Sequence, residues 1–287
     1  MNDKNLHISD IEERDDSFFS KGTIHWEKSE NEVWAELEKE ISKKPAGKLI
    51  WLLHPIIQWS AAAVFILLLG GLGLVTSYTK TLECLPGEHI LAELPDGSKV
   101  DLNAGSTLQY YPLKWRFERK LKFTGEAYFN VQKGTKFTVQ SEWGSTQVLG
   151  TSFTIYSRDE QYRVTCITGK VQVNAPGNES VVLLPNVHVE LEEGKLVLSK
   201  MFKTENALGW KNNQFFFANR PLKEVIDEIE RQYAVTIRLQ PELNNRNFGS
   251  NFSKKHNVEE VLDFVCKPMK LKFVKQAENV YLVTDES

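Results

Sequence analysis

Hydrophobic and polar positions follow three different patterns along the chain. Apolar side chains recur at helical spacing within residues 29–41, and a continuous apolar run follows at residues 59–78. Residues 85–200 then alternate apolar and polar positions in short runs, and helical spacing returns after about residue 213. We therefore expect a multi-part chain whose segments differ in fold class.

The first pattern predicts an amphipathic helix with one apolar face. Ser29 followed three residues later by Glu32 is a capping-box pattern, and Pro45 ends the run. One helix of this length cannot bury a core alone, so its apolar face is expected to meet another helix from residues 10–26, the membrane surface or a protein partner. The acidic balance of residues 27–40 favours a protein partner. Four residues form the predicted contact face: Val33, Trp34, Leu37 and Ile41.

The second pattern predicts one transmembrane helix over residues 56–78. Residues 59–78 contain no charged side chain, and twenty helical residues cover roughly the 30 Å hydrocarbon core of a bilayer. A buried helix of a soluble domain is the alternative, although such helices seldom run this long without a charge.

The lysines around this run predict its orientation. Three precede it and one closely follows it: Lys43, Lys44, Lys48 and Lys80. Residues 1–48 are then a short cytoplasmic α segment, of which residues 1–22 are expected to be a loose arm. Residues 79–287 are expected to be exported, which makes the chain a single-pass inner-membrane protein.

The third pattern predicts an all-β module over residues 85–200. Its short alternating runs are separated by turn residues: Asp96-Gly97, Gly125, Gly134, Gly150, Gly169 and Gly194. Two architectures fit this spacing, namely a sandwich and a stack of short strands resembling a β-helix.

Residues 210–284 predict a small α+β domain built from two strand–helix–strand units. Pro221 precedes one helical run and Pro268 ends a second. Residues 222–227 (LKEVID) and 258–263 (VEEVLD) correspond position by position, and a strand follows each helix. Two copies of one design are therefore expected to form this domain.

Composition adds little to this organisation. The net charge of −3 gives no nucleic-acid footprint. The three cysteines, Cys84, Cys166 and Cys266, are far apart and lack metal-ligand spacing, so buried free thiols are expected. The scattered histidines form no metal-site spacing, and no phosphate-binding or dinucleotide-binding motif occurs, so no metal and no cofactor is expected.

The sequence contains no recognisable arrangement of catalytic residues, and we expect the protein not to be an enzyme. Asp96-Gly97 is a turn dipeptide, which accounts for both residues. A membrane-tethered glycan hydrolase would need two carboxylates roughly 5–9.5 Å apart, and Asp96 and Glu126 are the pair that suggests itself.

One peptide bond is a candidate for self-cleavage. Thr151 follows Gly150 in "VLGTSF", and a hydroxyl in this position can attack the preceding carbonyl and exchange the amide for an ester. Such a shift requires a strained, preorganised turn. The alternative is a glycine turn followed by a strand-favouring threonine.

A series of motifs in the exported part resembles a known family. "LPDGSKVDLNAGSTLQYY", "RKLKFTGEAYFNV", "FTVQ", "VLGTSFTIY" and "VTCITGKVQV" occur in this order after the apolar run. From Trp210, "FFFANRPLKEVIDEIERQYAVTI" follows. Together they resemble the FecR-type membrane anti-sigma regulators, and the second part resembles the small signalling domain of secretins and outer-membrane receptors.

The resemblance implies signalling across the membrane. An outer-membrane TonB-dependent transporter would present its signalling domain to the periplasmic part of the chain. The cytoplasmic segment would sequester or activate an extracytoplasmic-function sigma factor, and regulated proteolysis would carry the signal. In some members of the family the Gly-Thr bond is a self-cleavage point, which strengthens the prediction for Gly150 and Thr151. A structural periplasmic anchor for an uptake or secretion complex is the alternative function.

Overall fold

A computed structural model describes residues 27–42, 55–200 and 204–286 of the chain. The loose arm expected over residues 1–22 lies outside the described residues, as does part of the cytoplasmic segment. The chain divides into two compact units, residues 1–68 and residues 69–287.

Two helices precede the strands. Helix α1 spans Glu30–Ile41 and helix α2 spans Pro55–Ser77. The backbone N–H of Ser29 donates to the carboxylate of Glu32 over 2.9 Å, which confirms the predicted helix start. Among the described residues, none of the helices has the combination of length and hydropathy that a membrane crossing demands.

Thirteen strands form the β module of the second unit. They are β1 Lys80–Cys84, β2 Ile90–Glu93, β3 Lys99–Leu102, β4 Ser106–Tyr110, β5 Arg119–Asn130, β6 Phe137–Gln140, β7 Ser145–Val148, β8 Ser152–Arg158, β9 Gln161–Thr168, β10 Val171–Asn174, β11 Ser180–Leu183, β12 Val187–Glu192 and β13 Lys195–Lys200.

These strands wrap into a nearly closed, barrel-like sheet around one core. The main hydrogen-bonded path runs β11-β10-β7-β6-β5-β8-β9-β12-β13, with β1 to β4 attached around β5. Pairing is antiparallel except between β5 and β6, so the module is closer to the expected sandwich than to stacked β-helix strands. Buried aromatic and aliphatic side chains fill the interior, among them Phe129, Phe137 and Phe153.

Strand β5 joins the two halves of this sheet. Its first half pairs with β4 and β6, and its second half pairs with β3 and β8. Gly125 lies at the junction with φ +120°, and a Cβ there would lie 2.6 Å from the Cα of Ser106. The expectation that Gly125 separates two strands is therefore wrong, because the glycine bends one continuous strand without ending its pairing.

Among its described residues, the C-terminal region contains three more α-helices and five more strands. They are α3 Thr204–Ala207, β14 Gln214–Pro221, α4 Leu222–Tyr233, β15 Thr236–Leu239, β16 Asn247–Ser253, α5 Val258–Cys266, β17 Leu271–Ala277 and β18 Val280–Asp285.

Two strand–helix–strand units are visible in this α+β region. Strands β14 and β16, which begin the units, pair with each other. Strands β15 and β17, which end the units, both pair with β18, the first parallel and the second antiparallel. The apolar faces of α4 and α5 share one core with these strands, separate from the core of the β module.

The three cysteines are free and buried, as expected. Burial raises the pKa of the Cys166 thiol to about 11 and that of Cys266 to about 12. At neutral pH these thiols are protonated and behave as small apolar side chains.

Candidate functional site

The predicted partner-binding face of α1 is exposed. Trp34 is 65% exposed and Ile41 is 63% exposed, and Val33 and Leu37 lie on the same side of the helix with exposed side chains. No residue of α1 is buried within the described part of the chain. Four large apolar side chains exposed on one helix face form a surface suited to contact with another molecule.

The Gly150-Thr151 bond lies in the connection between β7 and β8. Gly150 has φ +156°, and a Cβ there would lie 2.6 Å from the Cα of Lys133, so the turn accepts only glycine. The buried Thr151 donates its hydroxyl to the carbonyl of Lys170 over 3.1 Å. The hydroxyl is thus held in a fixed position, and cleavage at this bond stays a prediction.

A cleft lies between the β module and the C-terminal region, and ion pairs cross it. Arg163 on β9 contacts Glu224 on α4 with 2.7 Å between Nη1 and Oε1. Arg220 at the end of β14 donates two bonds to the carboxylate of Glu190 on β12, of 2.7 and 3.1 Å. Both ends of the Arg163–Glu224 pair are about nine-tenths buried, so breaking it would leave an unpaired buried charge.

A second polar cluster joins the β module to α4 through one amide. The side-chain NH₂ of Asn103 donates to Glu126 on β5 over 2.7 Å and reaches Glu228 on α4 at 3.4 Å. The side-chain NH₂ of Gln232 donates to the side-chain oxygen Oδ1 of Asn103 over 2.6 Å. Arg231 lies 3.1 Å from Glu228 and from Asp159, which partly neutralises the cluster.

The proximity of two carboxylates changes their titration. Burial, and then the negative charge of Glu228, raise the pKa of Glu126 to about 7. Burial acts in the same sense on Glu228, but the charges of Arg231 and Arg158 outweigh it and lower the pKa of that carboxyl. One proton near neutral pH is therefore held on the Glu126 side of the cluster.

A cavity of about 140 Å³ lies in the same cleft. Its lining includes Glu126, Arg163, Lys254 and the aromatic side chains of Trp210 and Phe215. The described residues contain no group of His, Cys, Asp or Glu arranged to hold a metal ion. The cavity is lined by residues of both the β module and the C-terminal region.

Asp96 accepts hydrogen bonds within its turn and also forms an ion pair with Arg119. The Ser98 backbone N–H donates to Oδ1 over 3.2 Å and the Ser98 hydroxyl to Oδ2 over 2.8 Å. Arg119 lies 2.9 Å from the same carboxylate. Glu126 belongs to the Asn103 cluster instead, so the two carboxylates considered for a hydrolase occupy different hydrogen-bond networks.

Apart from Glu126, the cleft residues were not among the candidates taken from the sequence. Glu224, Glu228, Arg231 and Gln232 lie at helical spacing on α4, which is also the pattern of an ordinary solvated face. A stronger sign is Arg163, which interrupts the apolar strand "YRVTCI" and is buried on β9. A charge inside a buried strand requires a partner from another element.

The fold defines a β module followed by a small α+β region, and two family models match these parts in the same order. The model described as FecR protein matches residues 80–172, and the model described as FecR, C-terminal matches residues 214–282. The two matches cover more than half of the chain, which therefore belongs to the FecR family.

Two solved structures are similar to this chain. Both are crystal structures of a protein from Parabacteroides distasonis ATCC 8503 assigned as an anti-sigma factor, at 2.50 and 1.65 Å resolution. Each is 27% identical, with TM-scores of 0.68 and 0.67, and the alignments cover 73% and 72% of this chain and 100% of those chains. No curated protein matches the chain.

Proposed function

We propose that the chain regulates an extracytoplasmic-function sigma factor across a membrane. Membership of the FecR family carries this proposal, and the similar solved structures from a protein assigned as an anti-sigma factor support it. The sigma factor binds residues 1–48, and α1 supplies the apolar contact. The exported part receives the signal.

The exposed face of α1 suits a binding partner. Burying a large apolar side chain contributes roughly 1.5–3 kcal/mol before association costs. Trp34 is the largest side chain on this face and is expected to be the dominant contact, as aromatic anchors are in other interfaces. Covering Val33, Trp34, Leu37 and Ile41 would compete with the contact between the sigma factor and RNA polymerase.

The membrane location rests on the sequence. Residues 59–78 are free of charged side chains, and the lysine bias around them places the N-terminus in the cytoplasm. The C-terminal region then meets the signalling domain of a TonB-dependent outer-membrane transporter in the periplasm. One helix offers no packed element with two stable arrangements, so regulated proteolysis is the proposed route of the signal.

Co-purification tests the proposal. The full-length chain is co-expressed with each extracytoplasmic-function sigma factor of its source organism, and the bound factor is identified. Trp34→Ala/Leu37→Ala should abolish the association. Glu36→Ala/Lys39→Ala, on the other side of α1, should leave it intact. Undiminished binding by the Trp34→Ala/Leu37→Ala variant, or the absence of any bound sigma factor, would contradict the proposal.

Deletion of residues 1–48 separates this function from that of a structural periplasmic anchor. A sigma regulator without this segment loses its control, and transcription of the sigma-dependent genes becomes constitutive or disappears. An anchor would retain its function after the same deletion. Transcript levels in the deletion strain therefore distinguish the two.

Self-cleavage at Gly150-Thr151 is part of the proposed processing. Thr151→Ala removes the attacking hydroxyl. Ser152→Ala, which removes the hydroxyl of the next residue, is the matched control. A blot should show two fragments for wild type and Ser152→Ala and one band for Thr151→Ala. Identical patterns in all three proteins would refute cleavage at this bond.

A further inference from the structure

A second surface of the β module has a composition unlike that of the interdomain cleft. It is an open groove of about 620 Å³, within the range of roughly 300–1,000 Å³ that is usual for ligand sites. Its lining comprises Lys133, Gly134, Lys136, Gln147, Val148, Leu149, Gly150, Thr151, Lys170, Gln172 and Val182. The lining thus contains three lysines and no acidic residue.

Two apolar side chains in this groove are unusually exposed. Leu149 is 66% exposed and Val182 is 57% exposed. Leu149 directly follows β7, and Val182 lies on β11, the last strand at this end of the sheet path. Between their strands lies β10, so the two side chains are separated by one strand and a partner can contact both.

Two glutamines and Val182 lie in a row across the strands of the groove. Gln147 on β7 faces Gln172 on β10, and Gln172 faces Val182 on β11. The Gln172 amide nitrogen already donates to Asn174 and Ser180, over 3.3 and 3.5 Å. The Gln147 amide can both donate and accept hydrogen bonds, which suits the alternating N–H and C=O groups of a polypeptide backbone. Since β11 is an edge strand, it can also pair with an added strand.

The positive charges of the three lysines indicate which kind of partner fits the groove. Within the described residues, Lys133, Lys136 and Lys170 take part in no salt bridge, and all three line the same groove as the apolar pair. They complement carboxylates spaced along an extended chain. A membrane surface or a single-stranded nucleic acid fits less well, because such sites typically present aromatic or arginine side chains and this lining has neither.

We propose that this lysine-lined groove binds an extended acidic segment of another protein, with an apolar side chain of that segment between Leu149 and Val182. The segment's carboxylates contact Lys133, Lys136 and Lys170. This surface is distinct from α1, so the inference does not depend on sigma-factor binding. The groove also includes Gly150 and Thr151, so its occupant covers that turn.

Fluorescence polarisation with defined peptides tests the groove. The probe is a short fluorescein-labelled peptide of alternating Glu and Val, titrated with the purified full-length protein. Lys136→Glu/Lys170→Glu should weaken binding about tenfold or more, and Leu149→Ser should weaken it several-fold. Lys255→Glu/Lys272→Glu changes the net charge equally at exposed positions of the C-terminal region and should leave the affinity unchanged.

A peptide of opposite charge distinguishes a change in specificity from misfolding of the variant. The Lys136→Glu/Lys170→Glu protein should bind a peptide of alternating Lys and Val, which a misfolded protein would not do selectively. Equal loss of binding in the Lys255→Glu/Lys272→Glu control would overturn the proposal, because it would indicate general attraction to net charge. Failure of the Glu/Val peptide to bind, or binding of phosphatidylglycerol vesicles in its place, would also overturn it.

Discussion

Helices α4 and α5 of the C-terminal region have equivalent inner faces and differ in their outer faces. Each carries three buried apolar residues at corresponding positions: Val225, Ile226 and Ile229 on α4, and Val261, Leu262 and Val265 on α5. These six side chains fill one core, and their spacing is that of a single helix stripe. The inner positions are therefore those that specify the fold of both units.

The outer positions of the two helices have different roles. On α4, Glu224 and Glu228 contact the β module. At the corresponding positions of α5, Glu260 contacts the exposed His256, and Phe264 is 40% exposed. The difference indicates that a repeated unit keeps its core residues while its outer residues adapt to separate surroundings.

Truncating the shared inner face should have the largest effect. Ile229→Ala removes a fully buried side chain of α4 and should lower the free energy of unfolding by about 2–5 kcal/mol. Val265→Ala on α5 should lower it by less, because one methylene fewer is lost. Urea unfolding followed by circular dichroism measures both. If Val265→Ala were neutral, the two inner faces would not be equivalent.

Substitutions at the corresponding outer positions Glu224 and Glu260 should have clearly different effects on stability. Glu224→Ala leaves Arg163 buried without its closest partner and should cost about 3 kcal/mol of stability. Glu260→Ala removes an exposed contact and should change stability by no more than about 0.5 kcal/mol. The same urea titration measures both variants, and equal effects would show that α4 gains nothing from the β module.

The carboxylate pair should make the α4 contact depend on pH. Because the pKa of Glu126 is raised in the folded protein, its contribution is fully present below pH 4.5 and is lost as the pH rises through about 7. His89 and His188 have lowered pKa values, mainly through burial, so they act in the opposite sense over an overlapping range.

Glu126→Gln isolates the contribution of that carboxyl. The glutamine cannot ionise, so the stability of this variant relative to wild type should increase between pH 5 and about pH 8. Thermal unfolding at a series of pH values gives the difference. A constant difference across this range would mean that Glu126 does not change its ionisation there. Glu228→Gln should also reduce the dependence, because it removes the neighbouring negative charge.

A smaller effect than that of Ile229→Ala is expected where the outer face of α5 is given the residue of α4. Phe264→Glu places on α5 the residue type found at position 228, on a side chain that is 40% exposed and packs against Phe252 and His256. The free energy of unfolding should fall by about 0.5–1.5 kcal/mol, because the aromatic contacts are lost. A loss comparable to that of Ile229→Ala would place Phe264 within the core.

The periodic parts of the fold could be predicted from the sequence. Helix α1 begins where Ser29 and Glu32 indicate, and α4 and α5 lie between the strands that the repeat predicts. These features depend on contacts between residues close in sequence, so local patterns are sufficient. The partner of α1 and the membrane location of residues 56–78 stay predictions.

The interdomain cleft could not be predicted in the same way. Arg163 and Glu224 are far apart in sequence. The position of Arg163 within an apolar strand indicates that it needs a partner, but no local pattern identifies Glu224 as that partner. Their proximity depends on how α4 packs against β9, which no local pattern encodes. The ion pair between Arg119 and Asp96 escapes sequence reading for the same reason, although the turn role of Asp96 was evident.

Gly125 is a position at which the sequence cannot change without disturbing the fold. Any other amino acid there would place a Cβ 2.3 Å from the Ser106 hydroxyl oxygen, at a φ of +120°. Moving the bend by one residue is no remedy, since a one-residue slip turns every following side chain of the strand to the opposite face. Exposed positions on α5 have space for other side chains. Position 125 has none, so β5 can cross between the two halves of the sheet only with glycine there.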